Sequence, residues 1–191
     1  MRLSSRFEEA LRYAHNLHVE QVRKTSNVPY VAHLLAVTSI VLDYGGSEDE
    51  AIAALLHDAV EDQGGAATRK EIERRFGANV ASIVDECTDS DITPKPPWLE
   101  RKQKYLAHLR HATPSACLVS AADKLHNVRT IQKDYAELKE AIWERFKGGR
   151  DGSLWYYRAV TDILKEVMPG QLVDELDREV TKLEQLAGVT R

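Results

Sequence analysis

The stretch from Leu55 to Asp62 reads LLHDAVED and places four ionisable side chains directly after an apolar run. Apolar residues in this segment recur at helical spacing, which predicts an amphipathic helix whose apolar face lies in a core. His57 and Asp58 lie at the end of that face, where a buried carboxylate is costly unless a positive charge neutralises it. Glu61 follows His57 by four residues, as Asp62 follows Asp58, so each pair is expected on one side of the helix. A bound cation would explain this arrangement.

Composition indicates an ordinary globular chain. Its 191 residues, 43% hydrophobic and 29% charged, suit a single domain covering residues 1–191. The net charge of −4 gives no reason to expect affinity for nucleic acid or an acidic membrane. We expect no secretory signal and no membrane span, because the most apolar stretch, residues 34–42, is shorter than the roughly 20 residues that cross a bilayer. Cys87 and Cys117 are predicted to be free thiols of a cytoplasmic protein.

Helical periodicity extends over nearly the whole chain, and no segment shows the sustained alternation of a strand. We therefore predict an all-α fold of about ten helices. Residues 90–97 and 147–153, rich in proline and glycine, are predicted to be loops that border a ligand cleft. The predicted helices are Ser5–Glu20, Pro29–Tyr44, Glu48–Val60, Arg69–Phe76, Asn79–Thr88, Trp98–His111, Ser115–Asp134, Ala136–Phe146, Ser153–Val167 and Leu172–Ala187.

Several helix starts have sequence signatures of their own. Ser47 with Glu50, and Thr68 with Glu71, have the spacing of a capping box. Thr113 precedes a proline and is predicted to cap the helix that the proline begins.

Four polar residues lie on apolar helical faces in three separate segments: His33, the adjacent His57 and Asp58, and Asp123. If they converge, imidazoles and carboxylates would form a mixed nitrogen and oxygen site that suits manganese, iron, zinc or magnesium. Taken singly, a buried histidine is commonly a hydrogen-bonded core residue, and a buried aspartate is often a helix cap. The spacing leaves both interpretations open.

Two charged pairs accompany this set. Glu61 and Asp62 could orient or deprotonate an attacking water, although they could also form a solvated helix end. An acidic pair near a helix C-terminus opposes the helix dipole, which favours a functional role. Arg23 and Lys24 offer a guanidinium fork and an ammonium group to phosphate or a nucleobase, although basic pairs are commonly solvated surface.

A second polar face follows Asp123. Asn127 and Thr130 lie four and seven residues further on, share its helix face, and could contact a sugar or base. His126 lies off that face and is interpreted as structural. The aromatic stretch 154–158 could be a cleft wall or part of the core.

In this order, these motifs resemble one family. The arrangement of His33, His57-Asp58 and Asp123 is similar to that of the HD superfamily of metal-dependent phosphohydrolases. The segments QVRKTSNVPYVAH, ALLHDAVEDQGG, FGANVASIVDECTD and AADKLHNVRT resemble the hydrolase domain of RelA/SpoT homologues. The resemblance runs from about residue 7 to 165, and the chain is similar in size to small alarmone hydrolases. It implies a compact HD-domain bundle, with a C-terminal helix at residues 170–187 packed on it.

The resemblance also implies an activity. It is that of a guanosine-3′,5′-bis(diphosphate) 3′-pyrophosphohydrolase, which converts ppGpp or pppGpp to GDP or GTP and pyrophosphate with one divalent ion, typically Mn²⁺. The partner would be a small-molecule nucleotide, with no nucleic acid and no membrane. The implied site residues are the metal ligands His33, His57, Asp58 and Asp123, the water-activating acids Glu61 and Asp62, and the substrate-binding residues Arg23, Lys24, Asn127 and Thr130.

One departure from the family pattern is visible. Many members carry glycine directly after the Arg-Lys pair, where this chain has Thr25, Ser26 and Asn27. Asparagine tolerates a left-handed backbone, so we expect the turn to persist and only base selectivity to be affected.

Two other functions stay open at this point. The same chemistry could act on another nucleotide, such as ppApp, the 2′-phosphate of NADPH or a 5′-nucleotide. A catalytically silent nucleotide-binding module is the third interpretation. Such a module should have lost a ligand or the acidic pair, and this chain keeps all six residues.

Overall fold

The computed structural model describes residues 2–24, 26–90 and 94–189. Within these ranges the chain forms ten α-helices, one 3₁₀-helix (η1) and no strand, which confirms the all-α prediction. An isolated β-bridge pairs Val22 with Pro29. The helices are α1 Ser5–Leu17, α2 Val31–Asp43, α3 Glu48–Leu56, α4 Ala59–Asp62, α5 Gly65–Phe76, α6 Ala78–Cys87, α7 Trp98–Leu109, α8 Pro114–Leu138, η1 Lys139–Arg145, α9 Gly149–Val167 and α10 Gln171–Leu186.

Helix α8 is shared by two hydrophobic clusters. Val119 and Ala122 pack into a cluster with α1, α2, α3, α5 and α6. Ala121 and Leu125, on another side of α8, pack into a cluster with α7, α9 and α10. Because α8 is apolar on more than one side, it lies in the interior, as expected for such a helix. Asp123 is therefore held on a helix that both clusters fix in place.

The two caps with the clearest sequence signatures form as predicted. Ser47 and Glu50 make a reciprocal capping box at the start of α3. Thr113 accepts a hydrogen bond from the Ala116 backbone N–H at the start of α8, with proline at the first helical position.

The capping box predicted at Thr68 and Glu71 is wrong, because α5 already begins at Gly65. Gly64 adopts a left-handed conformation with φ of 110° and reverses the chain directly before the helix. Thr68 is then inside the helix, and its hydroxyl donates to the Gln63 carbonyl instead.

Three other boundaries differ from the sequence prediction. The segment predicted as one helix over residues 48–60 divides into α3 and α4, with His57 and Asp58 between them. Helix α8 continues to Leu138 and stops at Lys139, whose φ is 52°, so the helix predicted over 136–146 is the end of α8 followed by η1. Helix α9 begins at Gly149, inside the loop predicted over 147–153.

Gly148 and Gly152, in the segment 147–153, allow α9 to pack closely against α7. A Cβ at Gly148 would lie 2.7 Å from the Trp98 ring, and one at Gly152 would lie 3.2 Å from it. The α9 backbone therefore approaches the start of α7 closely, which glycine permits.

Of the loop predicted over 90–97, residues 91–93 lie outside the described residues.

Helix α10 packs on α8 and α9. Cys87 and Cys117 are free thiols. No helix in the described part of the chain is long and apolar enough to cross a membrane.

Candidate metal centre and active-site cleft

The four predicted metal ligands lie together. His33 comes from α2, His57 and Asp58 from the break between α3 and α4, and Asp123 from α8. His57 Nε2 is 3.0 Å from Asp58 Oδ2 and 3.6 Å from Asp123 Oδ1. His33 Nε2 is 3.2 Å from Asp123 Oδ1 and 3.7 Å from Asp58 Oδ2. The helix break places the side chains of consecutive residues, His57 and Asp58, in one cluster.

Both imidazoles are oriented through their other nitrogen. His57 Nδ1 lies 2.8 Å from the Ala54 carbonyl oxygen, which only accepts, so Nδ1 carries a proton and donates it. His33 Nδ1 lies 2.7 Å from Nδ1 of His126. Such contacts fix ring orientation and leave Nε2 facing the carboxylates, as in metal-binding histidines generally. His126, interpreted from the sequence as structural, thus orients a candidate ligand.

The donor set fits a divalent cation. The Nε2 atoms of His33 and His57 are buried and make no hydrogen bond within the described residues. Each faces carboxylate oxygens, and lone pairs of nitrogen and oxygen repel one another unless a positive charge lies between them. A set of two buried imidazoles, the buried carboxylate of Asp123 and the partly buried carboxylate of Asp58 satisfies this requirement by binding a metal.

The electrostatics of the cluster agree with this interpretation. Burial lowers the pKa of His57, but Asp58 and Asp123 outweigh burial and raise it well above its ordinary value. Burial also disfavours both carboxylates in their charged forms, yet His57 holds the pKa of Asp58 well below its usual range. Lys124 and the two histidines likewise hold the pKa of Asp123 well below its usual range. The cluster therefore favours a positive charge at its centre, which a proton or a metal can supply.

Two residues that sequence analysis did not single out hold the carboxylates. The Tyr30 hydroxyl donates to Asp58 Oδ2 at 2.5 Å, and Lys124 Nζ donates to Asp123 Oδ2 at 2.5 Å. Tyr30 lies three residues before His33, which is a usable helical signal. The sequence gives no such signal for Lys124, because adjacent residues of a helix, such as Asp123 and Lys124, point in different directions.

The acidic pair lies beside the cluster and lines the same cleft. Glu61 Oε1 is 2.8 Å from Lys95 Nζ. Gln21 Nε2 donates to Asp62 Oδ2 at 2.8 Å. The Gln21 amide oxygen in turn accepts from Gln63 Nε2 at 2.6 Å, so the orientation of its amide group is fixed. Glu61 is thus held by a lysine of the cleft, and Asp62 by a glutamine whose own orientation is fixed.

The cleft has a volume of about 500 Å³. Among the described residues, its lining contains eight Lys or Arg side chains and five Asp or Glu side chains. This cationic excess in a chain of net negative charge suits a polyanionic ligand. The basic residues are Arg23, Lys24, Lys95, Arg101, Lys102, Lys124, Arg145 and Lys147.

The predicted substrate-binding residues also line this cleft. Arg23 Nη2 donates to Asn127 Oδ1 at 2.7 Å, and Asn127 Nδ2 donates to Asp123 Oδ1 at 2.5 Å. The Arg23 guanidinium also lies 5.7 Å from the centre of the Tyr30 ring. The Thr130 hydroxyl donates to a backbone carbonyl one turn earlier. Arg23 and Asn127 therefore connect the basic pair to the metal cluster.

The turn after the basic pair persists despite its missing glycine. Asn27 has a φ of 54°, the left-handed conformation expected of asparagine there, and its backbone N–H donates to the Arg23 carbonyl. Thr25, part of the same departure, lies outside the described residues.

Of the aromatic stretch 154–158, Tyr156 and Tyr157 line the cleft, and Tyr156 is also a core residue.

Fold and site together define a helical protein with a candidate divalent-metal centre in a cleft suited to phosphates. A family model described as HD domain matches residues 10–154, and the chain therefore belongs to the HD domain family. This confirms the resemblance inferred from the motifs.

Relatives and solved structures show which HD-domain proteins this chain is similar to. The chain is 42% identical over 128 residues to a Xenopus tropicalis protein named guanosine-3′,5′-bis(diphosphate) 3′-pyrophosphohydrolase MESH1, covering 65% of this chain and 69% of that protein. The Homo sapiens protein of the same name is 40% identical, with the same coverage. A solved structure described as a metazoan orthologue of SpoT that hydrolyses ppGpp has a TM-score of 0.78 and 28% identity, covering 100% of this chain and 99% of its own. The structure of lmo0812 from Listeria monocytogenes EGD-e has a TM-score of 0.70 and 28% identity, covering 80% of this chain and 99% of its own.

Proposed function

We propose that this chain is a metal-dependent hydrolase that removes the 3′-pyrophosphate of ppGpp or pppGpp and releases pyrophosphate with GDP or GTP. One observation carries the proposal: a buried His/Asp cluster lies beside an acidic pair inside a cleft with an excess of basic side chains. Relatives named for this activity, at 42% and 40% identity, support it. The free thiols of Cys87 and Cys117 support a cytoplasmic location.

The proposed metal ligands are His33, His57, Asp58 and Asp123, and the proposed ion is Mn²⁺. When bound, the ion would polarise the phosphoryl group and favour deprotonation of water. The mixed nitrogen and oxygen donors accept Mn²⁺ as well as iron, zinc or magnesium, and the choice of Mn²⁺ follows from the family resemblance. Tyr30 and Lys124 would hold the two carboxylates in the orientation that binding requires.

Glu61 and Asp62 are the proposed proton acceptors. In the reaction, a water oxygen forms a bond to the inner phosphorus of the 3′-diphosphate, and the bond from that phosphorus to the ribose 3′-oxygen breaks. The acidic pair takes the proton that the water loses and returns a proton to the departing 3′-oxygen, which becomes the hydroxyl of GDP or GTP, while the water oxygen stays on the released pyrophosphate. Gln21 and Lys95 hold the two carboxylates at the side of the cleft where this transfer would take place.

Arg23 and Lys24 are the proposed substrate contacts. The Arg23 plane can pair with phosphate oxygens or stack on a base, and Lys24 adds a point charge. Asn127 and Thr130 would contact the nucleoside. Stacking accepts either purine, so the proposal places ppGpp first and ppApp second.

The Arg23 assignment has a direct kinetic test. We expect Arg23→Ala to raise KM for ppGpp by about tenfold and to leave metal content unchanged, because a charge-assisted contact to the substrate is lost. Arg12→Ala, at an exposed arginine of α1, is the matched control and should behave as wild type. An Arg23→Ala protein with unchanged kcat/KM for ppGpp would remove Arg23 from the site.

A further inference from the structure

Two lysines from different helices meet on one aromatic ring in the cleft. Lys102 of α7 and Lys124 of α8 place their ammonium groups 4.6 and 5.9 Å from the centre of the Tyr156 ring. Lys124 also lies 5.3 Å from the centre of the Tyr105 ring. Both lysines line the cleft with the metal cluster. Their aromatic surroundings favour cations and exclude water.

The two lysines are substantially buried, and each pairs with a carboxylate in the part of the chain that the structure describes. Their side chains are 18% and 13% exposed. Lys102 pairs with Asp89 at 2.9 Å, and Lys124 pairs with Asp123 at 2.5 Å. Arg101 shares the same Asp89 oxygen as Lys102. Among the described residues, these three cations face Asp89, Asp123 and, 4.0 Å from Arg101, Glu61. Asp123 is a proposed metal ligand and Glu61 a proposed proton acceptor.

The charges of the two lysines oppose each other, which favours an anion beside them. Burial lowers the pKa of Lys102, and the positive charge of Lys124 lowers it further, while Asp89 raises it. Like charges held near one another in a water-poor cleft repel more strongly than they do in solvent. A phosphate group placed between them would offset that repulsion and accept hydrogen bonds from both.

The lysines also lie next to the proposed reaction centre. Lys124 contacts the ligand Asp123, and Arg101 beside Lys102 is 4.0 Å from Glu61 Oε1. In a 3′-diphosphate, the inner phosphorus is attacked at the cluster, and the terminal phosphate extends away from it. We infer that Lys102 and Lys124 form an anion subsite for the terminal phosphate, which makes the cleft select 3′-diphosphates over 3′-monophosphates. This inference rests on the proposed function and adds the feature that distinguishes its substrate class.

Equilibrium binding without turnover tests the subsite. Calorimetric titrations in EDTA would compare ppGpp with guanosine 5′-diphosphate 3′-monophosphate, which differs only in lacking the terminal 3′-phosphate. The wild type should bind ppGpp about tenfold more tightly, as expected for charge-assisted contacts to one added phosphate. Lys102→Met should abolish this preference, whereas Lys102→Arg should retain most of it. Lys104→Met, at an exposed lysine of the same helix, should leave it unchanged.

The outcomes separate this inference from the proposed function. A wild type without a preference, or a folded Lys102→Met protein that keeps it, would overturn the subsite. Thermal unfolding of each variant establishes folding, and Lys124→Met provides a second variant with the same expectation. Binding preference without any ppGpp hydrolysis in Mn²⁺ would uphold the subsite and overturn the proposed function. Hydrolysis of ppGpp in Mn²⁺ by a wild type that binds both nucleotides equally would uphold the proposed function and overturn the subsite.

Discussion

At the scale of single residues, the metal cluster depends on buried atoms that face one another. Replacing His57 or Asp58 with Ala should remove both bound metal and hydrolysis, since each substitution deletes one donor from the set. The variants should stay folded, because both residues lie at a helix break and line the cleft. Elemental analysis of the purified proteins provides the measurement, with His111→Ala, at an exposed histidine, as the control. Full activity of the wild type after exhaustive chelation would contradict the metal mechanism.

The acidic pair should behave differently from the ligands. Glu61→Gln and Asp62→Asn remove a proton acceptor while keeping the shape of the side chain, so kcat should fall by about 100-fold or more. Metal content should match that of the wild type. A double variant that binds metal and turns over at the normal rate would refute the role of both acids.

Gln21 gives this prediction a second, finer test. Its amide donates to Asp62 and accepts from Gln63, so Gln21→Leu should lower kcat by about tenfold through Asp62 alone. In an Asp62→Ala background the same substitution should have little further effect on kcat. Gln132→Leu, at a glutamine that bonds the Glu179 carbonyl on α10, is the matched control. Additive losses in the cycle would show that Gln21 does not act through Asp62.

At the scale of helices, α8 positions Asp123, and its start depends on one cap. Thr113→Ala should lower the free energy of unfolding by about 1 kcal/mol, because the Ala116 backbone N–H loses its acceptor and the Thr113 hydroxyl also contacts Glu86. Urea denaturation measures the change. Thr113→Ser keeps the hydroxyl and should recover most of the stability, whereas equal losses in both variants would rule out the capping explanation.

Helix starts were predictable where the cause is local. The caps at Ser47 and Thr113 follow from side-chain hydrogen bonds within three residues, which the sequence displays directly. The start of α5 depends instead on the left-handed Gly64, and the end of α8 on the left-handed Lys139. Periodicity does not encode a backbone reversal of that kind, so those boundaries were misplaced.

The predicted metal ligands lie close together in the structure, and the sequence did not predict what surrounds them. His33 and Asp123 were identifiable because each is a polar residue on an apolar helical face. Their contacts with Tyr30 and Lys124 depend on how α2 and α8 pack against the break after α3, which is a tertiary property. The basic wall of Arg101 and Lys102 was missed for the same reason, since basic residues on a helix usually face solvent.

At the scale of the whole molecule, two hydrophobic clusters meet along α8, which also contributes to the cleft lined by the acidic pair, the basic pair and three of the four proposed metal ligands. We propose that this cleft releases pyrophosphate from the 3′ position of ppGpp and does so only with a divalent ion. The most direct measurement is a time course with ppGpp and Mn²⁺, or with EDTA, in which anion-exchange chromatography separates the nucleotides and ³¹P NMR identifies the released phosphate. We expect GDP and pyrophosphate in equal amounts with Mn²⁺ and no reaction in EDTA. Protein that holds its metal and releases no pyrophosphate, or releases orthophosphate instead, would contradict it.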